Sequence, residues 1–204
     1  QMSGYYTYHN IEEGKKRRGI VVYVRDDIEA TPISSDVEFE ECIWLSLKLK
    51  DGDKLTFGCI YRSPNSTKQN NKQLITTLKE IGKINRSRLL IVGDFNFPGI
   101  DWRTEQLAIP DEEAGRFLEL TKDQGWSQHV KEATRYRMGQ KSNVLDLVLT
   151  KQEESDVKVC LEAPLGKSDH VVVSVHMAAE VAPTVGTGTV KRSYNRANYE
   201  DMRK

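Results

Sequence analysis

Four short polar clusters each stand beside a run of apolar, strand-forming residues. They are Tyr61-Arg62-Ser63-Pro64-Asn65, Gly93-Asp94-Phe95-Asn96, Asn143-Val144-Leu145-Asp146 and Gly166-Lys167-Ser168-Asp169-His170. A carboxylate can position or deprotonate a water and an amide can hold it. An imidazole or cation can offset charge on phosphoryl oxygens, and a hard divalent ion needs oxygen ligands such as Asp169. Together the clusters supply the groups that phosphodiester hydrolysis requires.

Each cluster also has a simpler structural explanation when it is considered alone. Asp and Asn at strand ends commonly form turns, His170 alone would be a structural histidine, and Tyr61 could be an ordinary strand aromatic. Asp146 is different, because its apolar neighbours make an unpaired buried carboxylate costly. A histidine is its natural partner, since a carboxylate fixes the tautomer of the imidazole and raises its basicity.

Apolar patterns predict the strands and helices that position these clusters. Strands are predicted at residues 19–25, 88–93, 126–131, 144–150, 157–162 and 170–177, and a hairpin at 42–61 with its turn at Asp51-Gly52-Asp53. Leu74, Ile75, Leu78 and Ile81 form one helical stripe, and a second helix is expected over 111–124. Residues 94–104 are predicted to be a polar and aromatic loop. This order suits a layered α/β protein with mostly antiparallel sheets, helices outside, and strand-end loops gathered at one edge.

Composition narrows the class of protein. Lys plus Arg and Asp plus Glu both number 30, which argues against coating of nucleic acid by bulk charge but does not exclude a local basic rim. No apolar run is long enough to span a bilayer, and no signal peptide opens the chain. The three cysteines are far apart, which favours buried free thiols over a zinc site. Residues 1–179 are expected to form one domain, 180–189 a linker, and 190–204 the start of another element.

The clusters, in this order, resemble the endonuclease/exonuclease/phosphatase superfamily, and more closely the endonuclease domain of non-LTR (LINE-type) retrotransposon polyproteins. The resemblance extends from about Tyr5 to Met177. Besides the polar clusters, it rests on Gly19-Ile20-Val21-Val22-Tyr23-Val24, Ala133-Thr134-Arg135 and Leu145-Asp146-Leu147-Val148-Leu149. Residues 194–199 are similar to the connector that precedes the reverse transcriptase in such polyproteins.

The resemblance implies a four-layer α/β sandwich, with two mainly antiparallel sheets flanked by helices and a catalytic site at one edge. Asp94 would orient or deprotonate the attacking water, with Asn96 beside it. His170 would contact the scissile phosphate, and Asp146 would orient His170. Tyr61 would line the phosphate pocket.

The same resemblance assigns the binding residues. Asn65, Arg62 and Asn143 would contact the phosphate or DNA, and Asp169 would help to bind Mg²⁺, with Mn²⁺ as a substitute. Thr134 and Arg135 match a motif that shapes the loop under the site.

The chain departs from the family pattern at its beginning. Family members start with a strand carrying an Asn and a second strand that ends in a metal-binding Glu, before the segment equivalent to Tyr5. Glu12 and Glu13 lie in a charged, loop-like stretch and do not match that Glu. We therefore expect an N-terminally truncated copy with weakened metal affinity and an exposed hydrophobic sheet edge.

The leading hypothesis is a DNA-nicking endonuclease that primes reverse transcription, once fused to a C-terminal reverse transcriptase. It would be a monomeric domain, nuclear or cytoplasmic and not secreted, without a membrane partner. An abasic-site repair endonuclease or a phosphatase of the same fold is the second hypothesis. The third is a non-catalytic relic or binding module.

Overall fold

A computed structural model describes residues 2–11, 19–34, 39–84, 87–151 and 156–182, which form an α/β fold. The helices are α1 (Lys68–Gly82) and α2 (Glu112–Asp123). The strands are β1 (Tyr5–Ile11), β2 (Gly19–Arg25), β3 (Ala30–Pro32), β4 (Cys42–Lys48), β5 (Lys54–Tyr61), β6 (Ser87–Asp94), β7 (Ile100–Asp101), β8 (Gln106–Leu107), β9 (Trp126–Gln128), β10 (Asp146–Lys151), β11 (Val157–Glu162) and β12 (Val172–Met177).

A six-stranded sheet in the order β3-β4-β5-β6-β10-β9 forms the centre of the fold. The predicted hairpin of β4 and β5 is confirmed, and Gly52 in its turn has a φ of +89°. Strands β5 and β6 are parallel because α1 connects them, and the other neighbouring pairs are antiparallel. Both predicted helices are confirmed. The ends of α2 and the last residue of α1 agree with the prediction within two residues, whereas α1 begins earlier than its apolar stripe.

The two helices cover one face of the sheet and form the main core with it. The side chain of Thr67 accepts a hydrogen bond from the N–H of Asn70, and Asp111 accepts from those of Glu113 and Ala114, so each helix begins at a capping residue. Leu74, Leu78 and Phe117 have no solvent exposure. A change such as Leu78→Ala should cost about 2–5 kcal/mol of stability through the cavity that it leaves.

The segment after β6 packs into the core, unlike an ordinary surface loop. We predicted a polar and aromatic loop, and its aromatic side chains instead lie in the core. Phe95 and Phe97 each stack on Phe117 at a centroid distance of 5.0 Å, and Trp102 meets the same ring edge-on at 6.2 Å. The position of the residues between them is therefore set by core packing.

The opposite face of the sheet carries two separate hairpins, β1–β2 and β11–β12. Ile20 and Val24 of the first pack against Ile43 and Leu45. A cleft of about 470 Å³ lies beside the second, lined by Phe57, Leu90, Val92, Gly93, Asp146, Leu147, Val148, Val171, Val173 and Val175. The expectation of two broad sheets thus differs from the described residues, where hairpins occupy the place of the second sheet. Strand β1, rich in aromatic and polar residues, has no alternation that predicts it.

The predicted linker begins too early. Val181 forms a β-bridge with Leu49, the N–H of Ala182 donates to the carbonyl of Lys48 at 2.8 Å, and Glu180 pairs with Lys50. These backbone contacts tie residues 180–182 to the central sheet. The rest of the linker and residues 190–204 lie outside the described residues.

Two further sequence expectations concern the surface. No helix among the described residues is long and apolar enough to cross a membrane. All three cysteines are free, but Cys160 is exposed rather than buried, because it lies on the outward face of β11.

Candidate active site

Three of the predicted site residues lie in a row across neighbouring strand ends. Tyr61 of β5 is the register partner of Asp94 of β6, and Asp94 is the partner of Asp146 of β10. Paired residues in a sheet present their side chains on the same face, so sheet pairing brings together groups far apart in sequence. Gly93 allows this approach: its φ is +140°, and a Cβ atom there would lie 1.8 Å from the carbonyl oxygen of Ile60.

Asn96 holds the carboxylate of Asp94 from both sides. Its backbone N–H donates to Asp94 Oδ1 at 3.1 Å, and its side-chain Nδ2 donates to Oδ2 at 2.9 Å. Asn96 has a φ of +50°, in the left-handed region that asparagine tolerates better than most residues. The structure thus brings together the two residues expected to handle the water.

Burial raises the pKa of the Asp94 carboxyl to about 7, and the neighbouring carboxylate of Asp146 acts in the same direction. His170, the N–H of Asn96 and Arg135 oppose that rise. A carboxylate with a pKa near neutrality is a much stronger base than an ordinary aspartate and is still ionised in a large fraction of molecules at pH 7. Asp94 therefore has the properties of a general base.

Asp146 and His170 form a hydrogen-bonded pair. His170 Nδ1 lies 2.7 Å from Asp146 Oδ2, and the two side chains are 27% and 22% exposed. With the aspartate ionised, Nδ1–H is the donor, which leaves Nε2 for a substrate. The partial exposure of the ring makes that contact sterically accessible.

The side chains of Asp94, Asp146 and His170 can each direct one ligand atom into a region where those atoms lie within 4.8 Å of one another. Two carboxylates and an imidazole so placed are a donor set that Mg²⁺ or Mn²⁺ can use, but only in competition with the hydrogen bond between Asp146 and His170. Asp169, the residue expected to bind the metal, is outside this group. Its Oδ2 accepts a hydrogen bond from Arg135 Nε at 3.0 Å, and that bond lowers the pKa of Asp169.

Thr134 and Arg135 connect the two sides of the site. The fully buried Thr134 hydroxyl oxygen accepts from the N–H groups of Leu145 and Asp146 at 3.1 and 3.0 Å. The backbone of Arg135 forms bridges with both Asn143 and His170. These contacts fix the start of β10 relative to the loop before β12, in agreement with the structural role expected for this motif.

The predicted phosphate-binding residues are more dispersed. Asn65 is exposed in the turn after β5, and Asn143 donates through Nδ2 to the carbonyl of Lys141 at 2.9 Å. Arg62 differs from the expectation: it is 6% exposed, and its guanidinium bonds with protein oxygens beneath the Asp94 loop. Glu12 and Glu13 lie outside the described residues.

Sequence reasoning missed Asn71. It is 3% exposed and accepts a hydrogen bond through Oδ1 from Arg62 Nε at 2.8 Å. The sequence does indicate that Asn71 is buried, because it occupies a position of the same α1 stripe as Leu74 and Leu78. A polar residue on a buried stripe needs a partner, and a nearby arginine is a suitable one.

Comparisons with known proteins agree on the family and fold. A model of the family described as endonuclease-reverse transcriptase matches residues 55–174, more than half of the chain. The endonuclease domain of TRAS1, a telomere-specific non-LTR retrotransposon, is 13% identical with a TM-score of 0.64, and the match covers 87% of this chain and 81% of that domain. No curated protein matches the sequence significantly.

Two further solved structures share the fold. The 3′ phosphatase NExo from Neisseria, bound to a product DNA hairpin, is 14% identical with a TM-score of 0.57, over 85% of this chain and 79% of that one. The mannosyl-6-phosphatase Bt3783 of Bacteroides thetaiotaomicron is 15% identical with a TM-score of 0.52, over 86% and 78%. The family match and these folds lead to one conclusion: the chain belongs to the endonuclease-reverse transcriptase family, within the endonuclease/exonuclease/phosphatase superfamily.

Proposed function

We propose that the domain is a DNA-nicking endonuclease that hydrolyses a phosphodiester bond with the help of a divalent cation. The observation that carries the proposal is the convergence of Asp94, Asp146 and His170 at one end of the central sheet. A base with a pKa near 7 and an oriented imidazole within one small site match the needs of hydrolysis at a phosphorus centre.

In the proposed reaction, Asp94 accepts the proton of a water that attacks phosphorus, while Asn96 keeps the carboxylate oriented. The bond between phosphorus and the leaving oxygen breaks, and the leaving oxygen takes a proton from solvent water. His170 contacts a phosphoryl oxygen through Nε2. Asp146 holds the imidazole in position through Nδ1. Tyr61, next to Asp94 across the sheet, lines the phosphate pocket. A bound Mg²⁺ or Mn²⁺ would offset negative charge that develops on the phosphate.

The choice of DNA rests on the relatives. The family name couples an endonuclease with a reverse transcriptase, and TRAS1 is a non-LTR retrotransposon whose endonuclease domain shares this fold. We extend the proposal to target-primed reverse transcription, a C-terminal reverse transcriptase and action in the nucleus. Further strands that join the hairpins β1–β2 and β11–β12 would produce the four-layer sandwich and bring the expected metal-binding Glu.

The test incubates the purified chain with supercoiled plasmid and Mg²⁺ or Mn²⁺. Conversion to open circles that is abolished by EDTA, by Asp94→Ala and by His170→Ala supports the proposal. Nicking that survives both substitutions contradicts it. Inactivity that persists after the expected upstream strands are added would favour a non-catalytic relic or binding module.

A phosphatase is the second candidate, because a 3′ phosphatase and a sugar phosphatase share the fold. An oligonucleotide with a 3′-phosphate and one with an abasic site, each compared with plasmid, distinguish the possibilities. Release of inorganic phosphate without internal cleavage would indicate a phosphatase. Preferential cleavage at the abasic position would indicate a repair nuclease.

A further inference from the structure

Arg62 is a buried cation beneath the loop that carries Asp94 and Asn96. The residue is 6% exposed, and its guanidinium carbon lies 3.9 Å from the centre of the Phe97 ring. Burial lowers the pKa of Arg62, while the carboxylates of Asp111, Glu113, Glu41 and Asp94 oppose that change. Within the part of the chain that the structure describes, its side-chain hydrogen bonds go to uncharged oxygens of the protein. A charge so placed is costly unless its donors have well-oriented acceptors.

The oxygens that accept hydrogen bonds from Arg62 belong mainly to the segment 94–96, which carries Asp94 and Asn96. Nη1 donates to the carbonyl of Asn96 at 2.8 Å and more weakly to that of Phe95 at 3.4 Å. The backbone of Arg62 adds two bonds: its N–H donates to the carbonyl of Asp94 at 2.8 Å, and its carbonyl accepts from Asn96 Nδ2 at 3.2 Å. Arg62 is thus bonded to every residue of the segment 94–96.

The remaining contact anchors Arg62 to the helix layer. Its Nε donates to Oδ1 of Asn71, which lies on the buried face of α1. The planar guanidinium therefore links a rigid helix with the carbonyl of Asn96. Because a guanidinium presents its donors in a fixed plane, it sets both the distance and the orientation of the groups that it joins.

The position of Asn96 needs such support. Its φ of +50° is an uncommon conformation for a residue other than glycine, and it is unfavourable when nothing else holds it. The same residue orients both oxygens of Asp94. A release of the Asn96 carbonyl would free the backbone to relax, and the Asp94 carboxylate would lose its orientation.

We infer that Arg62 is a positioning residue, which acts on catalysis through the Asn96 backbone and Asp94 and without contact to DNA. The part of the inference that concerns the catalytic rate rests on the proposed endonuclease function. Its structural part, the hold of Arg62 on the Asn96 backbone, can be measured in a chain that does not cleave DNA. Asn71 shares the role as the anchor of the guanidinium.

The kinetic test compares Arg62→Lys, Arg62→Met and Asn71→Leu with the wild-type chain, and Arg116→Lys on the exposed face of α2 is the matched control. A lysine keeps the charge but cannot bond in one plane with Asn71 and Asn96. For all three variants we expect kcat for plasmid nicking to fall at least tenfold, with lysine less impaired than methionine. KM and the salt dependence of DNA binding should stay unchanged.

Other outcomes would overturn the inference. If Arg62 contacted a phosphate, Arg62→Met would raise KM and would lower the slope of log Kd against log salt concentration by about one. Arg62→Lys would then stay close to wild type. A purely structural role would lower the folded fraction while kcat per folded molecule stayed at the wild-type value. Arg116→Lys should match wild type in every assay.

Amide hydrogen exchange gives a readout that needs no activity. The Asn96 N–H is bonded to Asp94 Oδ1, whereas the neighbouring Phe95 N–H is bonded to the carbonyl of Leu145. Arg62→Lys should speed exchange at Asn96 about tenfold or more and leave Phe95 slow. Equal protection of Asn96 in both proteins would refute the inference. If the wild-type chain stays inactive after the expected upstream strands are added but Asn96 exchange responds, the proposed function fails and the positioning role stands.

Discussion

The two sides of the active site are held in different ways. Asn96 lies between Phe95 and Phe97, which are 0% and 3% exposed, and Asp94 directly precedes Phe95, so core packing sets their place. His170 follows a turn that is exposed from residue 162 to 168, and the neighbouring Asp169 side chain is 43% exposed. The proposed base is therefore built into the core, whereas the side proposed to contact the phosphate depends on hydrogen bonds at the surface.

This contrast corresponds to two different demands of the proposed reaction, rigidity and access for the substrate. A general base must be preorganised within a fraction of an ångström, and a packed aromatic segment provides that rigidity. The phosphate-contacting side must admit a large substrate, and a surface loop can do so. Variants on the two sides should consequently differ in the size and type of their effects.

The largest effect is expected for Asp94→Asn, which keeps the size of the side chain and removes the base. We expect kcat for plasmid nicking to fall by about 10²–10⁴-fold, the usual contribution of general base catalysis. Asp101→Asn, at the last residue of the short strand β7 and outside the cluster of Asp94, Asp146 and His170, is the control and should have wild-type activity. A loss below tenfold for Asp94→Asn would show that another group activates the water.

A double-mutant cycle on the loop side should give the next largest effect. His170→Ala and Asp146→Asn should each reduce the nicking rate by about 10–10³-fold, and the double variant should be no worse than His170→Ala alone. Such non-additivity is expected because Asp146 acts through the imidazole. A multiplicative loss would show instead that Asp146 has a separate task, such as binding the cation.

The buried base should also affect folding stability. The folded-state pKa of Asp94, about 7, exceeds the ordinary value of 3.8, so between these pH values the folded chain binds more protons than the unfolded chain. Stability therefore falls as pH rises through this range. Asp94→Asn should be more stable than wild type by about 1–2 kcal/mol at pH 8, with little difference at pH 4.

Urea unfolding at the two pH values measures this difference. Asp101→Asn again serves as the control, because the pKa of Asp101 is lowered by the N–H of Arg103 and the sign of its effect should be opposite. An Asp94→Asn variant that loses stability at pH 8 would argue against a raised pKa.

The smallest effect is expected for the pair of Arg135 and Asp169. Their side chains are 27% and 43% exposed, so Arg135→Lys should change stability by less than about 1 kcal/mol. Because Asp169 is bonded to Arg135 and lies outside the cluster of Asp94, Asp146 and His170, Asp169→Asn should have an equally small effect. The Mg²⁺ concentration for half-maximal nicking should be the same in Arg135→Lys and Asp169→Asn as in the wild-type chain. An increase for Asp169→Asn alone would assign Asp169 to the cation.

Local patterns predicted much of this fold. The apolar stripe through Leu74 and Leu78 identified α1, and alternation around a tight turn identified the hairpin of β4 and β5. The nature of Asp146, a carboxylate among leucines, indicated that it needed a partner, and His170 lies 2.7 Å from it. These features depend on neighbours in sequence or on one unsatisfied group, so a single sequence contains them.

Features that depend on distant pairing could not be predicted in this way. The raised pKa of Asp94 comes first from its burial and then from Asp146, which the sheet register places beside it. The burial of Arg62 depends on the stacking of Phe97 on α2, and the aromatic loop looks like a surface segment until that helix covers it. Residues 180–182 similarly lack core-forming side chains, and their order comes from backbone bonds to the central sheet.

The pH dependence of plasmid nicking tests the central claim most directly, because that claim makes Asp94 the general base. With Mn²⁺ held well below saturation, so that the free chain has no cation to lower the pKa of Asp94, log kcat/KM of the wild-type chain should rise by about one for each pH unit below about 7 and then level off. The residual activity of Asp94→Asn should lack that rise with pH, which forms the acid limb of the profile. A flat wild-type profile between pH 5 and 8, or the same limb in Asp94→Asn, would contradict the account.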